Sequence, residues 1–188
     1  IWIPSQGSRE TIEFAAHPAH KYTYLQTFSP IKAVARYLQM YREVAAGFGY
    51  QSAPSQLGWS VPIYVGESDA SAIEEARPHF EIFRNTFVRM PFEMLLPPGY
   101  TSRESMKGIA AAKAQLTSYI DVKQAMELGM FVCGSARTVS ETLTAYAKQL
   151  GFGQLLTMLQ FGTLPAELTR RNMERFARDV MPQLKRLE

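Results

Sequence analysis

Cysteine occurs once in the 188 residues, at Cys133, and histidine three times, at His17, His20 and His79. A lone cysteine excludes an internal disulfide, and no Cys/His spacing of the kind that holds zinc is present, so no metal site is expected. Long apolar runs are missing as well: none approaches the ~20 residues that a membrane span requires. Charge is modest, at 20% of residues with a net of +3. Near the C-terminus Arg170, Arg171, Arg175, Arg178, Lys185 and Arg186 alternate with Glu174, Asp179 and Glu188. That alternation marks a solvated helix face rather than a nucleic-acid groove. Neither a membrane nor a nucleic acid is an expected partner. The first residues lack the basic-then-apolar order of a secretory signal, so the expected location is cytoplasmic. They also lack an initiator methionine and open in what reads as a buried strand, so a fragment of a longer protein is expected.

What is present is a globular composition, 46% hydrophobic, arranged as short β-rich segments alternating with amphipathic helices. That order is the signature of βα units around a parallel sheet. Strands are expected at residues 1–4, 21–27, 59–65 and 154–160. After the second, Ser29-Pro30 offers an N-cap and a first helical residue, and Ile31, Val34, Ala35, Leu38, Tyr41, Ala45 and Phe48 follow on one helix face. After the third, Ser71 and Glu74 have the spacing of a capping box, and Ile73, Ala76, Phe80, Phe83 and Phe87 form one stripe despite Pro78. Such an aromatic stripe reads as core. Thr138 and Glu141 are placed to cap a helix that ends at the Gly151-Phe152-Gly153 turn before the fourth strand. A last helix follows Pro165 and is expected to kink or end at Pro182.

Residues 90–130 break the alternation and read as a helical insertion, with Phe92, Met94, Leu95, Leu96 and Tyr100 placed either as an apolar lid or as a packed flap. The expectation is therefore an α/β fold with a single domain over residues 1–188. Its four βα units plus the insertion make about half of a TIM (β/α)8-type barrel, whose usual length of about 250 residues exceeds this chain.

The turn Gly7-Ser8-Arg9-Glu10-Thr11 takes the first strand directly into a helix. Ser8 is placed to cap it, Thr11 adds a hydroxyl, and Gly7 has no side chain to obstruct a ligand. Amides at a helix start bind anions, so these are the parts of a phosphate cradle. They are equally the parts of an ordinary capped turn, and the residues alone leave both readings open.

Several stretches together resemble the C-terminal half of the luciferase-like family of flavin-dependent monooxygenases. They are residues 1–8 running into Glu10-Thr11-Ile12-Glu13-Phe14-Ala15-Ala16, the helix Tyr41-Arg42-Glu43-Val44-Ala45, and the junction Ile63-Tyr64-Val65-Gly66-Glu67-Ser68-Asp69-Ala70. Phe161-Gly162-Thr163-Leu164-Pro165 with residues 171–182 is similar to the family's terminal helix. The resemblance implies a TIM-type barrel with the flavin phosphate at the loop after its fifth strand, so that Gly7, Ser8 and Thr11 are the phosphate contacts. It places the isoalloxazine ring across the barrel mouth, near Gln26, Thr27 and Phe28. No catalytic residue is carried over, because the family's histidine near the flavin and its phosphate arginine belong to the other half.

By the same resemblance the protein is an enzyme in which reduced flavin mononucleotide (FMN) and dioxygen oxygenate a small organic substrate. A flavin reductase would supply the reduced flavin, and a homo-oligomer is the expected assembly. A deazaflavin-dependent hydride-transfer oxidoreductase and a non-catalytic flavin-binding protein on the same scaffold remain as alternatives.

Overall fold

The computed structural model describes residues 1–5, 7–89, 102, 107 and 119–187, in two compact units. The first comprises Ile1–Ser60, Arg89–Tyr119 and Phe152–Leu156; the second comprises Val61–Val88, Ile120–Gly151 and Thr157–Glu188.

In the first unit β1 (Trp2–Ser5), α1 (Arg9–Ala16), β2 (Thr23–Thr27) and α2 (Ile31–Gly47) lead to the first half of β3 (Leu57–Gly66). The three strands are parallel, with Ser5 beside Gln26 and Gln26 beside Trp59. β5 (Gln154–Met158) pairs with β3, and the Gly153 N–H before it donates to the carbonyls of Pro54 at 2.8 Å and Leu57 at 3.2 Å.

Successive strand side chains point to opposite faces, and two contacts settle which face is which. The Tyr24 ring stacks on Tyr41 of α2 at 5.9 Å, so Tyr24 and Gln26 face the helix. Leu25 and Thr27 face the other way. On that second face a Cβ at Gly58 would stand 3.1 Å from both Leu25 Cδ1 and Trp2 Cζ3. The missing side chain lets the indole lie across the sheet. α2 buries Val34, Tyr37, Leu38, Tyr41 and Ala45 against it, and each large apolar side chain so covered contributes about 1.5–3 kcal/mol.

In the second unit the rest of β3 runs parallel to β4 (Val132–Ser135), with Ile63 beside Val132 and Val65 beside Gly134. All ten β3 residues are buried, as expected of a parallel strand covered on both faces. Its ladder to β2 ends at Ser60 and its ladder to β4 begins at Ile63. Pro62, which has no N–H to give either neighbour, lies between them. α3 (Asp69–Ile82), α4 (Val122–Glu127), α5 (Ala136–Leu150), α6 (Ala166–Arg175) and α7 (Met181–Leu184) complete this unit. Its core is aromatic: Phe80 stacks on Phe131 at 4.2 Å, and Phe161 meets both rings edge-on.

The sheet is the mostly parallel α/β arrangement that the alternation implied, with corrections to individual elements. β4 is a fifth strand where none was expected, because Val132–Ser135 is too short to show a period. α4, by contrast, agrees with the helical insertion expected there; Phe92, Met94, Leu95, Leu96 and Tyr100, read as a lid or a packed flap, are outside the described residues. The caps sit earlier than expected. Ser68, not Ser71, caps α3, and Ser135, not Thr138, caps α5. At α2 the capping position is Pro30, while the Ser29 hydroxyl donates to the Thr27 carbonyl. Finally, the aromatic stripe of α3 stops short. A π turn at Phe83–Phe87 widens the helix by a residue and rotates its face, which leaves Phe87 59% exposed and turns Arg84 inward. A second π turn, Phe176–Val180, separates α6 from α7, and Pro182 stands in the first turn of α7 rather than ending the helix.

Candidate functional site

Ser8 has the extended backbone of an N-cap, and its Oγ accepts the Thr11 N–H at 3.2 Å. The two hydroxyls stand 2.7 Å apart. One hydroxyl proton closes that contact, and the other remains to be given outward. The pair is therefore a cap that still has a donor.

Gly7 is built differently from the expectation of an open backbone. Its φ is +98°, and its N–H already donates to Ser5 Oγ at 3.0 Å. A Cβ there would fall within the ring of Tyr37. What the absent side chain admits is thus a tyrosine from α2. The turn is held from behind by buried polar groups: Gln26 Nε2 donates to the Tyr24 hydroxyl at 3.3 Å, and Ser5 also hydrogen-bonds that phenol. Burial is the main reason that Tyr24 holds its proton well above the ordinary phenol range and that Tyr37 is shifted in the same direction. Each stays a neutral donor at physiological pH.

The three β2 residues separate. Gln26 is fully buried on the α2 side, where its Oε1 has no hydrogen-bond partner. Thr27 is on the opposite face, half-buried, beside Ser60 of β3. Phe28 follows the strand with φ +49°, a left-handed conformation that a bulky side chain seldom adopts. Strain of that kind collects where a site requires it. Thr27 and Phe28 are therefore at the C-terminal end of β2, the end where parallel barrels build their sites. Ser60, which strand pairing brings beside Thr27, and Tyr37, which the α2 stripe read from the sequence did not include, were not singled out by sequence reasoning.

Glu10, in the first turn of α1, accepts the Ser102 N–H at 3.1 Å, and Arg9 is paired with Glu13 at 2.8 Å. The histidines are engaged locally. His17 Nδ1 accepts the Ala19 N–H, His20 Nδ1 donates to the Phe14 carbonyl, and His79 Nδ1 bonds Thr163 Oγ1. Among the described residues no three metal-ligating side chains come together, and no helix is long and apolar enough to cross a membrane.

The family model for luciferase-like monooxygenases matches residues 1–153, the stretch that carries every residue of this turn and of β2. The chain belongs to the luciferase-like monooxygenase family. No curated protein matches it in sequence. Among solved structures, this luciferase-like chain is similar to the monooxygenase RslO1 of Streptomyces bottropensis, with 17% identity, a TM-score of 0.66, and coverage of 97% of this chain and 47% of that one. The FMN complex of the oxygenating constituent of 3,6-diketocamphane monooxygenase, from Pseudomonas putida, gives 19% identity and a TM-score of 0.66 over 97% and 47%. The coenzyme F420 dependent tetrahydromethanopterin reductase of Methanopyrus kandleri gives 16% and 0.61 over 97% and 50%. The likeness is one of fold: a luciferase-like TIM barrel, of which this chain spans about half.

Proposed function

We propose that the intact protein is a flavin-dependent monooxygenase that uses reduced FMN and dioxygen to oxygenate a small organic substrate, and that residues 1–188 form one domain, the C-terminal half of its barrel. The Ser8–Thr11 hydroxyl pair at the first strand-to-helix turn carries this reading. It keeps a proton to donate where a terminal phosphate would lie against a helix start. Ser8 and Thr11 hold the phosphate, and Gly7 shapes the turn by admitting Tyr37. Thr27 and Phe28 border the ring, while Gln26 lies on the other face of β2 beside Tyr24. The bound flavin supplies the oxygen chemistry, and the chain's own task is to orient it and keep water out. A flavin reductase supplies the reduced cofactor, and the protein acts as a homo-oligomer in the cytoplasm.

FMN is preferred over the dinucleotide, whose pyrophosphate needs a longer glycine-rich turn that follows no strand here. A deazaflavin-dependent hydride transfer is the second reading, favoured by neighbours such as the F420-dependent secondary alcohol dehydrogenase, at a TM-score of 0.56.

Titration of FMN and riboflavin into the intact protein, followed by flavin fluorescence, tests the site. Riboflavin is expected to bind about thirty- to a thousand-fold more weakly, and Ser8→Ala to remove about 1–3 kcal/mol of FMN binding. Equal affinities for the two flavins would reduce the turn to a helix cap. Oxygen consumption with reduced FMN and a substrate panel separates oxygenation from hydride transfer.

A further inference from the structure

Tyr37 is 4% exposed; its hydroxyl, which is not fully enclosed, makes no hydrogen bond among the described residues. A phenol so deeply placed ordinarily finds one. Its neighbour Tyr24 does, through Ser5 and Gln26. The direction of the Tyr37 ring is fixed by Gly7: Cζ, the carbon that bears the hydroxyl, is the atom closest to where a Gly7 Cβ would stand. The hydroxyl-bearing end of the ring therefore lies against Gly7, the residue that precedes the Ser8 cap. Resting on the reading that Ser8 and Thr11 meet a phosphate, we propose that Tyr37 gives the same phosphate a hydroxyl donor from α2. The anion would then be met by hydroxyls from two helices, and the absent side chain of Gly7 is what lets the second one come close enough. The phenol is suited to the task. Burial keeps it protonated despite the adjacent Arg36, and a neutral hydroxyl donates to a phosphate without bringing charge into a covered site.

The test is Tyr37→Phe in the intact protein, which keeps the ring against Gly7 and removes only the oxygen. FMN and riboflavin are titrated by fluorescence quenching, and the melting temperature is recorded beside them. FMN is expected to bind about tenfold more weakly, with riboflavin changed by less than about twofold and the melt preserved. If Ser8→Ala lowers the preference for FMN over riboflavin while Tyr37→Phe leaves it untouched, Tyr37 is packing alone and the inference is overturned. If the unmodified protein shows no such preference, the phosphate reading itself falls, and the inference with it. A loss of both flavins equally in Tyr37→Phe would also overturn it, because the hydroxyl would then act on the turn rather than on the phosphate.

Discussion

Asn172 of α6 is fully buried, and its carboxamide stands in for a neighbouring strand. Oδ1 accepts the Val65 N–H at 2.8 Å, and Nδ2 donates to the carbonyls of Ile63 at 2.8 Å and Leu159 at 2.9 Å. Asn172→Leu keeps the branching and the number of side-chain heavy atoms but would leave three main-chain groups without their partner. The expected cost is about 3 kcal/mol or more, read from chemical denaturation; a loss below about 1 kcal/mol would mean that water reaches those groups. Gln26 gives the opposite case. Its Oε1 has no partner and its one donated bond is long, at 3.3 Å, so replacing it with an apolar side chain of similar shape removes little. Gln26→Met is expected to melt at or above the parent temperature and to change FMN affinity by less than about twofold, whereas Thr27→Val, on the other face, should weaken it. A large loss of FMN binding in Gln26→Met would show that this side chain reaches the ring after all.

At the scale of elements, the helix stripes and the long apolar run of β3 were legible because each repeats a period over many residues. Their ends were not. Capping serines follow one another in Ser68 and Ser71, and Ser135 and Thr138 have the same spacing, so the chemistry of a cap recurs one turn apart and only the backbone shows which residue begins the helix. β4 escaped notice for another reason: four residues contain too few alternations to separate a strand from a helix segment. The face of Gln26 was hidden because a one-residue uncertainty in register exchanges the two sides of a sheet. The hydroxyls of Ser8 and Thr11, by contrast, were legible, since three-residue spacing at a helix start leaves them few other partners. β4 also holds Cys133, whose thiol is pushed up to about 12, chiefly by burial and then by Asp69 and Glu75. In the unfolded chain it ionises near 9. The unfolded state therefore sheds that proton first, and stability that is complete below pH 9 declines as the pH rises toward 12. Cys133→Ala should show a shallower decline in denaturation midpoint over that range, and parallel curves for the two proteins would dismiss the thiol as a contributor.

For the whole molecule, the alternation of strand and helix was enough to anticipate a parallel α/β sheet, because that pattern is distributed along the chain, and the family was anticipated by the several stretches that resemble it. It could not distinguish one flavin from another: FMN and deazaflavin enzymes share the fold. Trp2 and Leu156 are 40% and 48% exposed on the chain's outlying strands β1 and β5. Apolar side chains and strand edges of this sort invite association. Residues 1–188 prepared by themselves are expected to self-associate in sedimentation velocity, and a monodisperse monomer that melts cooperatively would contradict this.

The interruption of β3 at Pro62 has a kinetic consequence. Ser60 and its predecessors are laced to β2, Ile63 and its successors to β4, and Pro62 between them has no N–H to give either side. One continuous strand is therefore free to breathe in two places at separate rates. In native-state amide exchange the residues from Gly58 to Ser60 should report one opening energy, and those from Ile63 to Val65, which Asn172 also fastens, a higher one. A single protection factor along the strand would mean that its two halves open together.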